Sequence, residues 1–380
     1  MNQKIYIPSA KPFFLDEDIP NILDEIKKVL KTGRLILGPY TNKFEELFKE
    51  YVGVKHAISV NCCTTALEIC MKYFKVKDSE VIIPTNTFVA TSNSVIYAGG
   101  KPIFADIEKN TLCIDVNEIL EIITHRTKAI IIVHIAGMIP PKIKEIQEIC
   151  EDHNLFLIED AAHAHGASID DVKAGSLGDV GCFSFYPTKI MTTCTGRMIT
   201  TNNDKLAEFA KSLRHHGQGK SLREIENFGN DWVMDEISAI LGIYQVEKLD
   251  YIIESRNKIA DRYTDEIKKL EGITYFPVPK NIRHGYYKYP VLLTENLNKD
   301  RLVERLEKEW NIETGTLYYP PCHLQPVYKR NFGYKEGMFP VAEDILKRQI
   351  TLPMYPQLEE KNVDYVLDGL KKSLKAALKV

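Results

Sequence analysis

The chain of 380 residues is 44% hydrophobic and 27% charged, which excludes intrinsically disordered and fibrous classes. Its 49 Lys and Arg residues nearly balance 52 Asp and Glu residues, and a formal net charge of −3 argues against nucleic-acid and membrane-surface binding. The most apolar stretch, Ala129 to Val133, is far shorter than a membrane span, and the start has no apolar signal core. We therefore expect a cytoplasmic globular protein of two lobes.

Short apolar runs alternate with amphipathic ones along the first part of the chain. The segments predicted as strands are Val54–Val60, Glu80–Ile83, Pro102–Ala105, Lys128–His134, Phe156–Ile158, Gly181–Phe185 and Met198–Thr201. The segments predicted as helices are Ile19–Lys31, Thr65–Phe74, Val89–Ala98, Ile143–His153, Lys205–Leu213 and a long stretch from Asp235 to about Leu270. This alternation predicts an α/β fold with a three-layer, mostly parallel central sheet.

A hinge is indicated after the long helical stretch by Gly272, Pro277 and Pro279. The elements predicted beyond it are the strands Gly285–Leu293 and Ile312–Thr316 and the helices Lys299–Glu309 and Lys361–Leu378. We therefore divide the chain into an N-terminal segment with a large domain, residues 1–270, and a smaller α+β domain, residues 271–380.

Eight cysteines lie inside apolar segments, without a CxxC pair or the even framework of a secreted disulfide fold. We expect reduced, partly buried thiols. The vicinal pair Cys62–Cys63 leaves a redox-active dithiol open as the alternative.

A turn of small polar residues, from Ser59 to Leu67, joins the first predicted strand of the sheet to the next helix. A helix N-terminus presents unpaired N–H groups and a partial positive charge, which suit a phosphate. A plain N-cap at Thr64 is the structural alternative. Neither a dinucleotide-binding nor a P-loop signature lies near, so those two hypotheses lose their main support.

Two acids and a small-residue turn, Glu159 to Gly166, directly follow an apolar strand. Ligands bind outside the carboxyl ends of parallel strands, so Asp160 is a candidate binding carboxylate. One hypothesis pairs it with a protonated ring nitrogen. A metal site of Asp160, His163 and His165 is a second, and an acid that only caps the next turn is a third.

Lys189 follows the strand near Phe185, in a segment of Thr, Cys and Gly. If it is partly buried, its amine can act as a nucleophile or form a Schiff base, and a solvent-exposed lysine is the alternative. A phosphate turn, a strand-end Asp and a loop Lys, in this order, are the groups that pyridoxal 5'-phosphate (PLP) needs. They provide an anion cradle, a carboxylate for the ring nitrogen and an amine for the aldehyde.

With these residues the chain resembles the DegT/StrS-type PLP-dependent aminotransferases, often sugar aminotransferases, of the aspartate-aminotransferase fold (fold type I). The segments that carry the resemblance are Gly38-Pro39 with Phe44-Glu45, Asn61 to Leu67, Pro84 to Ala90, Glu159 to His163, Ser184 to Lys189, Leu213-Arg214 with Gly217, His323 to Tyr328, and Leu352-Pro353-Met354. They cover nearly the whole chain in the family's order.

The resemblance implies a role for each matched residue. Lys189 forms the Schiff base, and Asp160 pairs with the pyridine nitrogen. Phe88 stacks on the ring, and His163 lies beside the ring hydroxyl. The residues expected at the phosphate are Ser184, the backbone of Thr64 and Thr65, and, as a weaker candidate, Asn230.

The chain departs from the family pattern at two places. It has Cys194-Thr195-Gly196-Arg197 where a run like Gly-Glu-Gly-Gly is usual, so a bulky cation replaces a small residue. Asp231 stands where we expect an Asn that reaches a neighbouring subunit's phosphate, which an anion cannot do unless Asn230 replaces it. Proximity to Lys189 suggests that Arg197 contacts an anionic group of the acceptor.

The implied activity is amino transfer from an amino acid, usually glutamate, to a keto sugar that is usually nucleotide-linked, in a homodimer with shared sites and without a metal. Lys189 moves the proton in this reaction. The alternatives are an aminotransferase for a small keto-phosphate, a PLP-dependent sugar dehydratase, a non-catalytic regulatory member and a metal-dependent hydrolase. Tyr318-Tyr319, His323 and His284 to Tyr287 are candidate substrate contacts or ordinary packing residues.

Overall fold

The computed structural model describes residues 5–219, 221 and 223–377, without the side chain of Cys63. The α-helices of this part are α1 (Ile19–Thr32), α2 (Pro39–Val52), α3 (Cys63–Tyr73), α4 (Val89–Tyr97), α5 (Val116–Ile122), α6 (Ile143–Asp152), α7 (Asp204–Leu213), α8 (Glu236–Glu247), α9 (Leu249–Ile267), α10 (Lys299–Trp310), α11 (Pro326–Phe332), α12 (Pro340–Arg348) and α13 (Glu360–Ala376). The strands are β1 (His56–Val60), β2 (Glu80–Pro84), β3 (Lys101–Ala105), β4 (Thr127–Val133), β5 (Phe156–Asp160), β6 (Ser168–Ile169), β7 (Val172–Lys173), β8 (Val180–Ser184), β9 (Arg197–Thr201), β10 (Ile273–Tyr275), β11 (Ile282–Arg283), β12 (Tyr289–Leu293) and β13 (Gln349–Leu352).

The central sheet has seven strands in the order β1-β9-β8-β5-β4-β2-β3. From β8 to β3 every pair of neighbours is parallel, whereas β9 is antiparallel to both β1 and β8. Each strand coincides with a predicted one to within two residues. Because β9 is reversed, its first residue, Arg197, lies at the edge where Val60 ends β1 and Ser184 ends β8.

Helices cover both faces of this sheet. The ring of Phe183 on β8 packs against Phe48 of α2, with 4.9 Å between the ring centroids. The preceding residue, Cys182, projects from the opposite face, where its Sγ lies 3.7 Å from the Sγ of Cys70 on α3. The predicted α/β fold with a three-layer, mostly parallel sheet is therefore confirmed.

A second hydrophobic core surrounds the antiparallel sheet β10-β12-β13. Its buried side chains come from these strands, from α10 and α13, and from the C-terminal half of α9, where Tyr263 is fully buried. The α+β layout agrees with the sequence analysis. The division of the chain at residue 270 stays a prediction.

Two details of the predicted C-terminal half are wrong. The segment Ile312–Thr316 is not a strand, because it forms only isolated bridges at Ile312 and Gly315, and β13 completes the sheet instead. The long helical stretch is interrupted at Lys248, which separates α8 from α9. The predicted end of the last helix, Leu378, lies outside the described residues.

Side-chain caps determine where several helices begin. The Oδ1 atom of Asn203 accepts a hydrogen bond from the N–H of Leu206 at the start of α7, and Asp235 does the same for Ser238 at the start of α8.

None of the described helices combines the length and apolar character that crossing a membrane requires.

Candidate active site

A cavity of about 310 Å³ lies at the sheet edge where β5 and β8 end. Four of the predicted site residues line it, namely Phe88, Asp160, His163 and Lys189. Arg197, Tyr287 and Tyr318 also line it. Clefts beyond the carboxyl ends of parallel strands are the usual ligand sites of such sheets. The structure therefore brings the catalytic candidates together in one place.

Asp160 is the last residue of β5 and is buried. Its Oδ2 accepts a hydrogen bond from Oγ1 of Thr91 at 2.7 Å, and its Oδ1 accepts one from the N–H of Ala162 at 3.2 Å. The hydroxyl of Thr91 also lies 2.7 Å from that of Thr87. The carboxylate thus caps the following turn, as the structural alternative expected, and at the same time is held in the cavity wall.

Lys189 lies in the connection between β8 and β9. Its backbone N–H donates to the carbonyl of Tyr186 at 2.8 Å, which closes a tight turn. The side chain is half-buried, and its Nζ lies 4.5 Å from the centroid of the Tyr287 ring. The alternative of a solvent-exposed Lys189 therefore does not agree with the structure.

His163 is buried between two tyrosines. Its ring stacks on Tyr287 at 4.3 Å between centroids, and its Nε2 lies 2.9 Å from the hydroxyl of Tyr318. Burial and then the positive charge of Lys189 hold the pKa of His163 well below its usual value. The imidazole is consequently neutral at neutral pH and is available for hydrogen bonding rather than as a cation.

Phe88 caps the N-terminus of α4 and is 55% exposed at the cavity. Its ring centroid lies 5.7 Å from that of Tyr318. An aromatic ring at this position has a free face for stacking on a planar ligand.

The predicted phosphate contacts lie at the same sheet edge but outside the cavity wall. Ser184 is buried at the end of β8, and its Oγ accepts a hydrogen bond from the N–H of Tyr186 at 3.4 Å. Thr64 and Thr65 lie in the first turn of α3, where Oγ1 of Thr65 is 2.9 Å from Sγ of Cys62. Their phosphate-binding role stays a prediction.

Asn230 is exposed and does not line the cavity of its own chain. Its Oδ1 accepts a hydrogen bond from the N–H of Asp231 at 2.9 Å. The carbonyls of Asp231 and Trp232 accept hydrogen bonds from Asn61, so this segment is attached to the turn after β1. A role for Asn230 depends on a second subunit and stays a prediction.

Arg197 is half-buried in the cavity wall. Its Nε and Nη1 atoms are buried, and neither has a hydrogen-bond partner among the described residues. The positive charge of this guanidinium is one of the lesser causes of the lowered pKa of His163, after burial and the charge of Lys189.

Sequence reasoning missed Thr91 and did not decide the role of the C-terminal aromatic residues. Thr91 lies in a helix of small polar residues, and no local pattern reveals that it contacts Asp160. Tyr287 and Tyr318 line the cavity. By contrast, His323 is fully buried between Thr85 and Glu343, at 2.6 and 3.1 Å, and is a packing residue.

The alternative metal site is not assembled. Within the part of the chain that the structure describes, no three His, Cys, Asp or Glu side chains are grouped to hold a metal ion. The ring of His165 packs against Phe183 and Phe185, at 5.3 and 5.6 Å between centroids.

The cysteines with described side chains form no disulfide with one another. Cys62 and Cys194 are exposed, whereas the other five are buried. The predicted reduced state therefore agrees with the structure for these residues, but the exposure of two of them differs from the expected partial burial. The dithiol alternative involves Cys63, whose side chain lies outside the description.

Comparison with family models gives a match over residues 16–371, to the model of the DegT/DnrJ/EryC1/StrS aminotransferase family. Among curated relatives, GDP-perosamine synthase of Caulobacter vibrioides is 35% identical and the alignment covers 89% of this chain and 91% of the relative. The spore coat polysaccharide biosynthesis protein SpsC of Bacillus subtilis is 34% identical over 98% of each chain.

Among solved structures, that of Helicobacter pylori PseC superposes with a TM-score of 0.91 at 28% identity. The alignment covers 98% of this chain and 100% of the other. PseC is described as an aminotransferase involved in the biosynthesis of pseudoaminic acid. The two chains therefore share one fold over nearly their whole length.

Proposed function

Because the chain belongs to the DegT/DnrJ/EryC1/StrS aminotransferase family, and is thus a sugar-type aminotransferase, we propose that it uses PLP bound through Lys189. The proposed reaction moves an amino group from an amino acid, glutamate being the expected donor, to a nucleotide-linked keto sugar. The observation that carries the proposal is that Lys189 and the strand-end carboxylate Asp160 line one cavity. A cytoplasmic location stays a prediction from the sequence.

The cavity has polar groups that suit PLP. The Nδ1 atom of His163 is buried and has no hydrogen-bond partner among the described side chains and backbone groups, and neither do the two nitrogens of Arg197. Buried polar groups are normally paired, so these atoms call for a polar ligand. A hydroxylated ring with a phosphate provides partners for a neutral imidazole and for a cation. The residues present therefore fit the cofactor.

Each side chain has a physical task in the proposed reaction. When bound, PLP supplies an electron-withdrawing ring that stabilises negative charge at the carbon that loses its proton. The carboxylate of Asp160, fixed by Thr91, holds a proton on the ring nitrogen. The Nζ atom of Lys189 holds the cofactor aldehyde and, once released from it, moves the substrate proton. Neutral His163 hydrogen-bonds without adding a second positive charge beside Lys189.

The first experiment tests the link to Lys189. PLP added to the purified protein is expected to give a visible absorption band, and borohydride reduction is expected to leave a stable pyridoxyl label on Lys189 in peptide mapping. Lys189→Ala should abolish both. Lys288→Ala is the matched control, because in the wild type the Nζ of Lys288 also lies near the Tyr287 ring, 5.4 Å from its centroid. A wild-type protein that stays colourless, or a label on Lys288, would refute the proposal.

The second experiment identifies the acceptor. The protein is converted to its pyridoxamine form with glutamate and then mixed with nucleotide-linked keto sugars, free keto-sugar phosphates and small keto-phosphates. Return of the visible band only with nucleotide-linked compounds supports the proposal. The name of one relative, GDP-perosamine synthase, motivates this choice of substrate class. Return with small keto-phosphates alone would assign the activity to the alternative substrate class.

We also propose a homodimer with shared sites. Large apolar side chains are exposed beside the predicted contact Asn230, including Phe228 and Ile225, and Phe88 is exposed at the cavity. Light scattering should give twice the chain mass. Mixing Lys189→Ala with Asn230→Ala protein should then restore a share of the wild-type turnover, because mixed dimers contain one site with both residues intact. A monomer with full activity would contradict this.

A further inference from the structure

Arg197 occupies a defined position between two elements of the predicted phosphate site. It is the first residue of β9 and pairs with Ser184 of β8 on one side and with Val60 of β1 on the other. β1 leads directly into the turn before α3. Arg197 therefore lies between the predicted phosphate contact Ser184 and the strand end that leads to Thr64 and Thr65.

The sheet register also determines where its side chain points. Residues directly opposite each other on neighbouring strands project from the same face, and so do residues two apart on one strand. Arg197 is opposite Ser184, and Asp160 is opposite Cys182, two residues before Ser184. The side chains of Asp160, Ser184 and Arg197 thus share one face of the sheet at its ligand-binding edge.

Among the residues that the structure describes, none provides an anionic partner for the guanidinium of Arg197. None of the ion pairs between described residues includes it, and two of its nitrogens are buried without a hydrogen bond. A buried cation is costly unless it is paired, and a guanidinium matches a phosphate or a carboxylate with two parallel hydrogen bonds. An anion bound in this cavity would therefore be held by Arg197.

We infer that Arg197 binds the phosphate group of the cofactor, an assignment that rests on the proposed function. The phosphate is favoured over a substrate carboxylate because Arg197 lies on the β1 side of Ser184, whereas Asp160 and His163 follow β5 on the other side. Arg197 and Asp231 are the two departures from the family pattern. In this assignment the cation of Arg197 compensates for Asp231, whose carboxylate cannot donate a hydrogen bond to the phosphate.

The test compares two ligands that differ only in the phosphate. Apo protein is titrated with PLP and with pyridoxal, and the dissociation constants are read from the visible absorption band. Arg197→Gln is expected to weaken PLP binding about 10- to 100-fold, since hydrogen bonds between charged groups contribute this much, and to leave pyridoxal binding within about twofold. Arg197→Lys, which keeps the charge, should lie between wild type and Arg197→Gln.

Lys288→Gln is the matched control. It removes another half-buried positive charge near Tyr287 without changing a residue of the cavity wall, and should leave the ratio of the PLP and pyridoxal constants unchanged. Thermal unfolding of each apo variant shows that the protein is folded. If Arg197→Gln does not fold, Arg197→Lys provides the comparison.

The outcomes separate this inference from the proposed function. Wild-type protein that binds neither ligand refutes the proposed function itself. Wild-type protein that binds PLP, with Arg197 variants that bind it equally well, overturns the inference alone. An equal loss of PLP and pyridoxal binding also overturns it, because the side chain then acts on the ring or on the fold. A raised donor or acceptor KM at unchanged PLP affinity would assign Arg197 to a substrate anion instead.

Discussion

Acid should destabilise this protein through buried neutral histidines. His163, His165 and His284 are 3%, 0% and 4% exposed, and burial is the main cause that lowers their pKa, to about 3 for His284 and well below the usual value for the other two. The unfolded chain takes up protons as the pH falls through about 6.5, whereas the folded chain does not. The stabilising contribution of these histidines is therefore fully present above that pH and is lost progressively as the pH falls below it.

The magnitude follows from the difference in bound protons. Each such histidine contributes a slope of about 1.4 kcal/mol per pH unit once the unfolded chain is protonated. Between pH 7 and pH 5 this amounts to about 2 kcal/mol for His284, whose folded pKa is about 3, and His163 and His165 add to the loss in the same direction. His323 adds to the loss in the same direction, because burial lowers its pKa although Glu343 opposes the shift.

The assay is urea unfolding without added cofactor at pH 7 and pH 5, followed by near-ultraviolet circular dichroism and by fluorescence. His284→Asn is the informative variant, because the Asn side chain can accept the hydrogen bond that Nδ1 of His284 receives from the N–H of Tyr286 at 2.8 Å. It should reduce the loss between the two pH values by about 2 kcal/mol. His125→Asn, at an exposed position, controls for the substitution as such. Equal losses in wild type and His284→Asn would refute the reasoning.

Three further changes test the site and its support. Thr91→Val should lower turnover about 10-fold, because Asp160 loses a hydrogen bond to its charged group, whereas Thr91→Ser should retain most of it. Glu159→Ala should cost about 3 to 5 kcal/mol of unfolding free energy. The buried carboxylate accepts hydrogen bonds from three backbone N–H groups and pairs with the buried His134. An unchanged urea midpoint would contradict this. Gly242→Ala should cost about 1 to 3 kcal/mol in the same measurement, because its Cβ would lie 2.6 Å from the buried ring of Phe44.

The central sheet could be predicted from the sequence because its strands are buried on both faces. Such strands are nearly continuous apolar runs, as in Ala129 to Val133, and the acids after them mark the sheet edge. Asp160 and Lys189 were therefore identifiable from local pattern and order. The family resemblance added Phe88 and His163.

The rest of the site depends on contacts between distant parts of the chain. Tyr287 and Tyr318 reach the cavity from segments of the C-terminal half, and nothing in their local sequence distinguishes them from packing residues. The wrong strand at Ile312–Thr316 has the same cause. Its β-branched residues favour a strand, but the segment bridges one partner at Ile312 and another at Gly315, so no continuous ladder forms.

The connection that holds Lys189 begins at Ser184 and ends at Arg197, and these two residues are paired with each other. Both ends of the segment are thus fixed at one pair of opposite residues in the sheet, so the two strands keep the ends of the Lys189 connection in place. The connection from Ser184 to Arg197 can therefore be exchanged as one segment. Grafting the corresponding segment of a relative into this scaffold would exchange the reactive amine and its immediate neighbours as a unit, while Asp160 and the opposite wall stay in place.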